Sequence, residues 1–327
     1  MIHTFSGTHI SEISSVVPAE SEGIEQWKVL FQDQWQAQLT EQTGIRSLRK
    51  SHRSSLDLGL AACRALYLNE TRPSAIISVT QTPVRQFPGN ASALAAGMGW
   101  LGEGTQAAPL CWDLQMGCAG LVWGLYQAAM LLQQPGMDEV LLICAETHSR
   151  VVNPTDRATC LLFGDGASAI KVVKSANKSP WKFALGTQPD ATNQLCTSPQ
   201  GYLHMDGLGI FNFSVGTVAP AITAFLKESG IDKSDIGTYL LHQASGFVLK
   251  YLQRMLQIPD EKMPVALDGY GNTASASIGI LLSHHFAEKQ NPELKNALLI
   301  GFGSGLQWGV MSCDLSETRI RSMQYAV

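Results

Sequence analysis

Charge is scarce in this sequence: Asp, Glu, Lys and Arg make up 15% of its 327 residues, and 23 basic against 27 acidic side chains leave a formal net charge of -4. That balance provides neither the basic stripe that a nucleic-acid backbone requires nor a block of like charges for a membrane surface. Long apolar runs are missing too, none approaching the roughly 18 residues of a membrane span. The opening residues, MIHTFSGTHISEISSVVP, place no basic stretch ahead of an apolar one, so the expectation is a cytoplasmic protein without nucleic-acid or membrane partners. Paired cysteines are also absent. Cys63, Cys111, Cys118, Cys144, Cys160, Cys196 and Cys313 are odd in number, scattered, and never in C-x-x-C spacing, which argues against a disulfide framework and against zinc. The adjacent pair His284 and His285 points to two faces of a helix and lacks a third ligand, so no metal site is expected.

What the chain does have is apolar material, 45% of its residues, enough for about two cores of ordinary size. Short runs rich in β-branched residues, AIISVTQT (75–82), EVLLICAETH (139–148), SAIKVV (168–173), TYLLHQAS (238–245) and NALLIGFGSG (296–305), alternate with helical patterns. The alternation predicts an α/β fold with mostly buried strands. VLLICAETH and ALLIGFGSG read as copies 157 residues apart, and the strands at 76 and 239 are 163 apart, so the chain reads as two similar halves, 1–175 and 176–327, with a seam near 175–182.

Two segments rich in small residues lead into helices. One opens on Gly117-Cys118-Ala119-Gly120 and stays apolar on nearly every face until Pro135-Gly136; the other, from Asp268, carries Asn272 near its start. Cys118 and Asn272 are 154 residues apart, which places them at equivalent positions of the two halves. A cysteine at a helix N-terminus meets unpaired N–H groups and the positive end of the dipole, which lower its pKa, whereas a structural buried cysteine needs no cleared surroundings. His242 ends an apolar strand and Asn272 opens a helix, element ends where binding residues concentrate and where capping residues are also at home. The glycines of GFGSGLQWG (301–309) precede no G-K-[ST] and no helix, so they do not form a phosphate loop; they let backbone approach the cysteine, where an N–H could stabilise an oxyanion.

Together the segments resemble the β-ketoacyl-acyl-carrier-protein synthase III family of thiolase-superfamily condensing enzymes over nearly the whole chain. The resemblance is carried in order by TGIRSLRK (43–50), DLQMGCAGLVWGL (113–125), NPTDRATCLLFGDGASAIKV (153–172), HMDGLGIF (204–211), HQAS (242–245), YGNTASAS (270–277) and GFGSGLQWG. It implies a duplicated thiolase-like fold in α-β-α-β-α layers, the Cys-bearing half at 1–175 and the His- and Asn-bearing half at 176–327. It implies a transferase in fatty-acid or polyketide-type biosynthesis, with Cys118, His242 and Asn272 catalytic and the N–H groups of Cys118 and Ser304 as oxyanion hole. Cys118 would take an acyl group from a thioester; His242 and Asn272 would hold the enolate oxygen formed when a malonyl-type thioester loses carbon dioxide. Phe87, Arg157, Met205, Gly207, Leu208, Phe211, Ser245 and Phe247 would bind substrate. The partners implied are acyl carrier protein or coenzyme A thioesters and a second copy of the chain, a heteromeric assembly being the alternative, with no cofactor beyond the thioester substrates.

Departures from the family pattern concern the donor. Gln38 and Gln42 stand where coenzyme A users carry tryptophan and arginine, Leu208 and Ser245 where asparagines line the pantetheine tunnel, and Phe247 where a basic residue often faces the carrier protein. They imply a specialised enzyme. Competing readings are a same-fold acyltransferase that passes the acyl group to an alcohol or amine, and a non-catalytic subunit of a heteromeric synthase. A degradative thiolase would need a second cysteine in 301–305, and a hydroxymethylglutaryl-type synthase a carboxylate at the end of IISVTQTP; neither is present.

Overall fold

The computed structural model describes residues 1–23, 40–67, 72–102, 107–176, 179–189 and 192–326. Two large sheets dominate. Their strands are β1 (His3–Phe5), β2 (Thr8–Pro18), β3 (Ala75–Val79), β4 (Leu110–Leu114), β5 (Glu139–Thr147), β6 (Asp165–Lys174), β7 (Trp181–Thr187), β8 (Thr238–Leu241), β9 (Ala297–Gly303), β10 (Gln307–Cys313), β11 (Arg319–Ile320) and β12 (Gln324–Ala326). The first sheet has the order β11-β2-β6-β5-β3-β4, with β12 also on β2, and the second β1-β7-β10-β9-β8. The near-continuous apolar runs become strands covered on both faces: every residue of β3 and of β9 is buried.

The sheets repeat one pairing pattern. In the first, β2 runs antiparallel to β6, β6 antiparallel to β5, and β5 parallel to β3. In the second, β7 runs antiparallel to β10, β10 antiparallel to β9, and β9 parallel to β8. The 157-residue offset seen in the sequence superposes β5 on β9. The seam falls between β6 and β7, but each sheet also borrows from the far end of the chain: β1 pairs with β7, and β11 and β12 pair with β2. A division at 175 therefore follows the strand order except at the two termini.

Seven helices complete the layers: α1 (Ser55–Leu66), α2 (Asn90–Gly97), α3 (Gly120–Leu132), α4 (Gly207–Phe213), α5 (Ala219–Ser229), α6 (Gly246–Leu256) and α7 (Ser277–His285), counted among the described residues. α3 and α7 touch both sheets and form the middle layer, which is why they carry apolar residues all round. α1 and α2 cover the outer face of the first sheet; α5, with α6 beside it, covers the second. The α-β-α-β-α expectation is borne out. The helical stretch Gly207–Ser229 is longer and more apolar than the sequence reading allowed, 23 residues at mean hydropathy 1.5, long and apolar enough to cross a membrane by those measures alone. A third of its most apolar window is buried, and the stripe of Phe213, Val218, Ile222, Phe225 and Leu226 packs into the core of the second half.

Candidate active site

The residues after β8, the end of β9, the turn before α3, the loop carrying Asn272 and the starts of α4 and α6 meet around one cavity of about 430 Å³. Cys118 and, more than a hundred residues further along the chain, His242 and Asn272 all line it. Each is nearly buried, at 6%, 2% and 4% exposure.

Cys118 lies in a 3-10 turn, Gly117–Ala119, that runs directly into α3. Gly117 begins the turn with a φ of +48°, and a side chain there would collide with Ser304 and Gln81. Gly303, the last residue of β9, brings backbone against the nucleophile: a Cβ at 303 would lie 2.8 Å from the Cβ of Cys118 and 3.3 Å from its Sγ. The helix start was expected to lower the thiol pKa. Burial acts in the opposite sense and strongly raises it, and the charge of Glu146 adds to the rise.

The turn recurs in the second half, in a register that corrects the sequence reading. Ala274–Ala276 is also a 3-10 turn running into a helix, and Ala274 has a φ of +46°. The residues heading the two helices match closely, Ala119 at φ -78°, ψ -10° and Ala276 at φ -79°, ψ -11°. The counterpart of Cys118 is therefore Ser275, at the 157-residue offset of the strands, and Asn272 precedes it by three residues.

Asn272 is held from several sides. Its N–H donates to Leu162 O at 2.8 Å and its carbonyl accepts from Gly164 N at 3.1 Å, pinning it to the FGDG segment. Its Oδ1 accepts from Ala274 N at 2.9 Å and its Nδ2 donates to Ala244 O at 3.2 Å, so one amide hydrogen remains for a ligand. His242 follows β8, with Nδ1 2.8 Å from Ser277 Oγ and its ring edge-on to Phe302 at 5.4 Å between centroids. Burial pushes its pKa down to about 3, against a backbone hydrogen bond at Ala274, so the imidazole is neutral near pH 7.

Of the residues expected to bind substrate, Met205, Gly207, Leu208, Phe211, Ser245 and Phe247 line the cavity. Ser245 also caps α6, accepting from Val248 N at 3.3 Å. Phe211, Phe247 and Tyr251 form an aromatic cluster with centroids 4.8 to 5.1 Å apart. Ser304 sits just past the cavity wall, which Gly303 supplies, and its Oγ accepts from Gln81 Nε2 at 2.7 Å. Arg157 is exposed and Phe87 is 82% exposed; neither lines the cavity of the single chain. Gln42 is exposed, and Gln38 lies outside the described residues. The sequence reading missed the apolar wall of Leu162, Phe163, Leu195, Ile210 and Phe302, whose residue types are those of any core. It also missed Ser277 and Glu146; an interior strand ending in a carboxylate was the available signal for the latter.

A thiol at a helix start, lining one apolar cavity with two hydrogen-bonding side chains in a duplicated five-layer fold, matches the class of thiolase-like condensing enzymes. The comparisons narrow the class. The family model for the 3-oxoacyl-[acyl-carrier-protein] synthase III C terminal matches residues 226–315, and that for 3-oxoacyl-[acyl-carrier-protein] synthase III matches residues 112–189. The chain is 30% identical over 333 residues to β-ketoacyl-[acyl-carrier-protein] synthase III of Porphyra purpurea, covering 93% of this chain and 98% of that one. With the Lactobacillus delbrueckii subsp. bulgaricus (strain ATCC 11842) synthase III, identity is 33% over 293 residues, 84% of this chain and 88% of the relative. Among solved structures, a 3-oxoacyl-(acyl-carrier protein) synthase from Burkholderia xenovorans LB400 superposes with a TM-score of 0.93 at 26% identity, covering 100% of this chain and 99% of that one. The chain belongs to the 3-oxoacyl-[acyl-carrier-protein] synthase III family, whose members are transferases of fatty-acid biosynthesis.

Proposed function

We propose that the protein is a condensing enzyme that accepts an acyl group on Cys118 and joins it to the carbanion left when a malonyl-type thioester loses carbon dioxide. One observation carries the reading: a thiol, a neutral imidazole and an oriented amide converge on one apolar cavity of a size that suits a small ligand. The Cys118 sulfur attacks the acyl carbonyl and expels the donor thiol, and the N–H groups of Cys118 and Ser304 hold the oxyanion. In the second step negative charge develops on the oxygen of the malonyl thioester. A neutral His242 and the free Asn272 amide hydrogen both donate to that oxygen, whereas a carboxylate at either place would repel it. Ser277 Oγ accepts from Gln243 N at 3.3 Å and lies 2.8 Å from His242 Nδ1; in the proposed step it gives its hydrogen to Nδ1, which leaves the proton of the ring on Nε2.

The donor is the specialised part of the reading. Leu208 and Phe247 line the cavity and are 69% and 44% exposed, and Tyr251 packs against Phe247, so the entrance is apolar and aromatic. We assign a carrier-protein thioester as the donor, because Gln38 and Gln42 offer neither an aromatic face nor a guanidinium to the nucleotide of coenzyme A; a second copy of the chain is the neighbour whose Phe87 extends the acyl wall, and exposure of Phe87 in the single chain supports that place. Intact-mass measurement with a panel of acyl thioesters tests the reading. Acyl adducts that vanish in Cys118→Ala, followed by a 3-oxoacyl product on addition of malonyl thioester, are expected. Transfer of the acyl group to an alcohol or amine without carbon dioxide release would replace condensation by acyl transfer, and failure to acylate at all would point to the silent-subunit reading.

A further inference from the structure

One strongly placed group has no part in the chemistry above. Glu146 is the penultimate residue of β5, is 0% exposed, and does not line the cavity. Its Oε1 accepts from Ser275 Oγ at 2.7 Å; its Oε2 accepts from Gln81 N at 3.0 Å, Thr82 Oγ1 at 3.2 Å and Thr80 Oγ1 at 3.4 Å. The loop after β3 contains no carboxylate of its own, yet the fold brings one to it from the neighbouring strand. Gln81 passes the connection on, since its Nε2 donates to Ser304 Oγ at 2.7 Å. One carboxyl group thus fastens the turn that follows Asn272 and, through Gln81, the turn that follows Gly303.

The duplication sharpens the point. At the 157-residue offset Cys118 corresponds to Ser275 and Gly303 to Glu146. The contact of Gly303 in the second half with Cys118 in the first is matched by the hydrogen bond between Glu146 in the first half and Ser275 in the second. The second-half position of the nucleophile is occupied by a hydroxyl whose partner is this carboxylate.

We propose that Glu146 is a positioning residue for the nucleophile: its carboxyl holds the Ser275 and Ser304 turns in place, and its charge sets how readily the Cys118 thiol ionises. The role in turnover rests on Cys118 being the acyl acceptor; the effect on thiol ionisation does not. Burial pushes the Glu146 carboxyl up to about 7, with Ser275 and the loop donors opposing the rise, so its charge changes near neutrality. Ionised, it raises the thiols of Cys118 and of Cys144 on its own strand. The other titratable neighbours are His148, whose Nδ1 is 3.8 Å away and which burial holds neutral with a pKa of about 4, and beyond it Asp165 and His242. No charged cation among the described residues therefore offsets the carboxylate at neutral pH.

The experiment is the iodoacetamide alkylation rate of Cys118, read by peptide mapping between pH 5.5 and 9 in wild type, Glu146→Gln and Glu146→Asp. Glutamine keeps the shape and the acceptor for the loop while removing the charge. Its Cys118 should react on the order of tenfold faster at pH 8, as for a thiol relieved of one nearby anion, and converge with wild type near pH 5.5. Glu146→Asp keeps the charge and should follow the pH profile of wild type. Superposable profiles for glutamine and wild type, or a ratio that does not vary with pH, would overturn the proposal. Should Glu146→Gln fail to fold, wild type alone decides: a flattening of the log-rate profile between pH 6 and 8 supports the proposal, and unit slope through that range refutes it. Alkylation needs no thioester, so a protein inert to acyl donors that still shows this dependence would remove the proposed function and leave the present inference standing.

Discussion

Replacing Gly303 by alanine tests the contact between β9 and the nucleophile. The new methyl group would stand 2.8 Å from the Cβ of Cys118, about 0.6 Å inside the 3.4 Å at which ordinary contact begins. Gly303 is outside the left-handed region, so alanine costs nothing in backbone conformation and the whole effect comes from the collision. Neither side yields easily, because Gly303 ends a strand that is buried throughout and Cys118 starts a helix packed between the sheets. Overpacking of this kind costs about 1–3 kcal/mol of stability. A displacement of the thiol approaching 1 Å would lower acylation on the order of a hundredfold. Stopped-time intact-mass measurement of acyl-enzyme formation, with a thermal melt of the same preparation, reads both quantities. A Gly303→Ala protein that acylates at the wild-type rate would refute the claim that this strand end sets the position of the sulfur.

His242→Ala and Asn272→Ala should acylate normally yet lose decarboxylative condensation by about 10²-fold or more, since each removes a donor to the enolate oxygen; full condensation by either would contradict its role. Phe87→Ala should broaden the accepted acyl chains without changing alkylation of Cys118, and light scattering should find a dimer; a monomer at assay concentration would remove the basis for that role. Glu146 is neutral in the folded protein up to about pH 7 but ionises near 4.5 once unfolded, so it costs stability progressively as pH rises from 4.5 to 7 and fully above. Melts should therefore show Glu146→Gln gaining on wild type across that window by roughly 3 kcal/mol, and a constant difference at every pH would contradict the buried charge. His242 and His148 act in the opposite direction, taking up protons on unfolding below about pH 6.5, so the Glu146→Gln protein, freed of the opposing carboxyl, should lose stability as pH falls from 6.5 toward 4; unchanged melts of that variant over that range would contradict their neutral burial.

The polar residues of the cavity were legible where polar or small residues interrupt apolar runs. Cys118 between small residues, His242 at a strand end and Asn272 before TASAS all carry local signals, and the repeat of β5 in β9 exposed the duplication. The cavity wall was not legible, because Leu195, Ile210, Phe163 and Phe302 differ from core residues only in facing an unfilled space. The register of the duplication was misread although the spacing held it: the 157-residue offset of the strands carries Cys118 onto Ser275, and the positive φ of Gly117, recurring at Ala274, selects the same residue. The crossing of β1, β11 and β12 into the opposite sheets had no local signature, since pairing of strands so far apart in sequence is decided by closure of the whole fold. Glu146 was hidden for a similar reason. Its partners come from the loop after β3 and the turn before α7, and only the assembled sheet brings them to one carboxyl group.

The most direct test of the account is a single turnover. Protein loaded with an acyl group and freed of donor is mixed with carboxyl-labelled malonyl thioester, and label release and acyl occupancy of Cys118 are followed together. The account predicts that labelled carbon dioxide appears in step with loss of the acyl adduct and formation of one 3-oxoacyl thioester per acyl group consumed; loss of the adduct without carbon dioxide would contradict it.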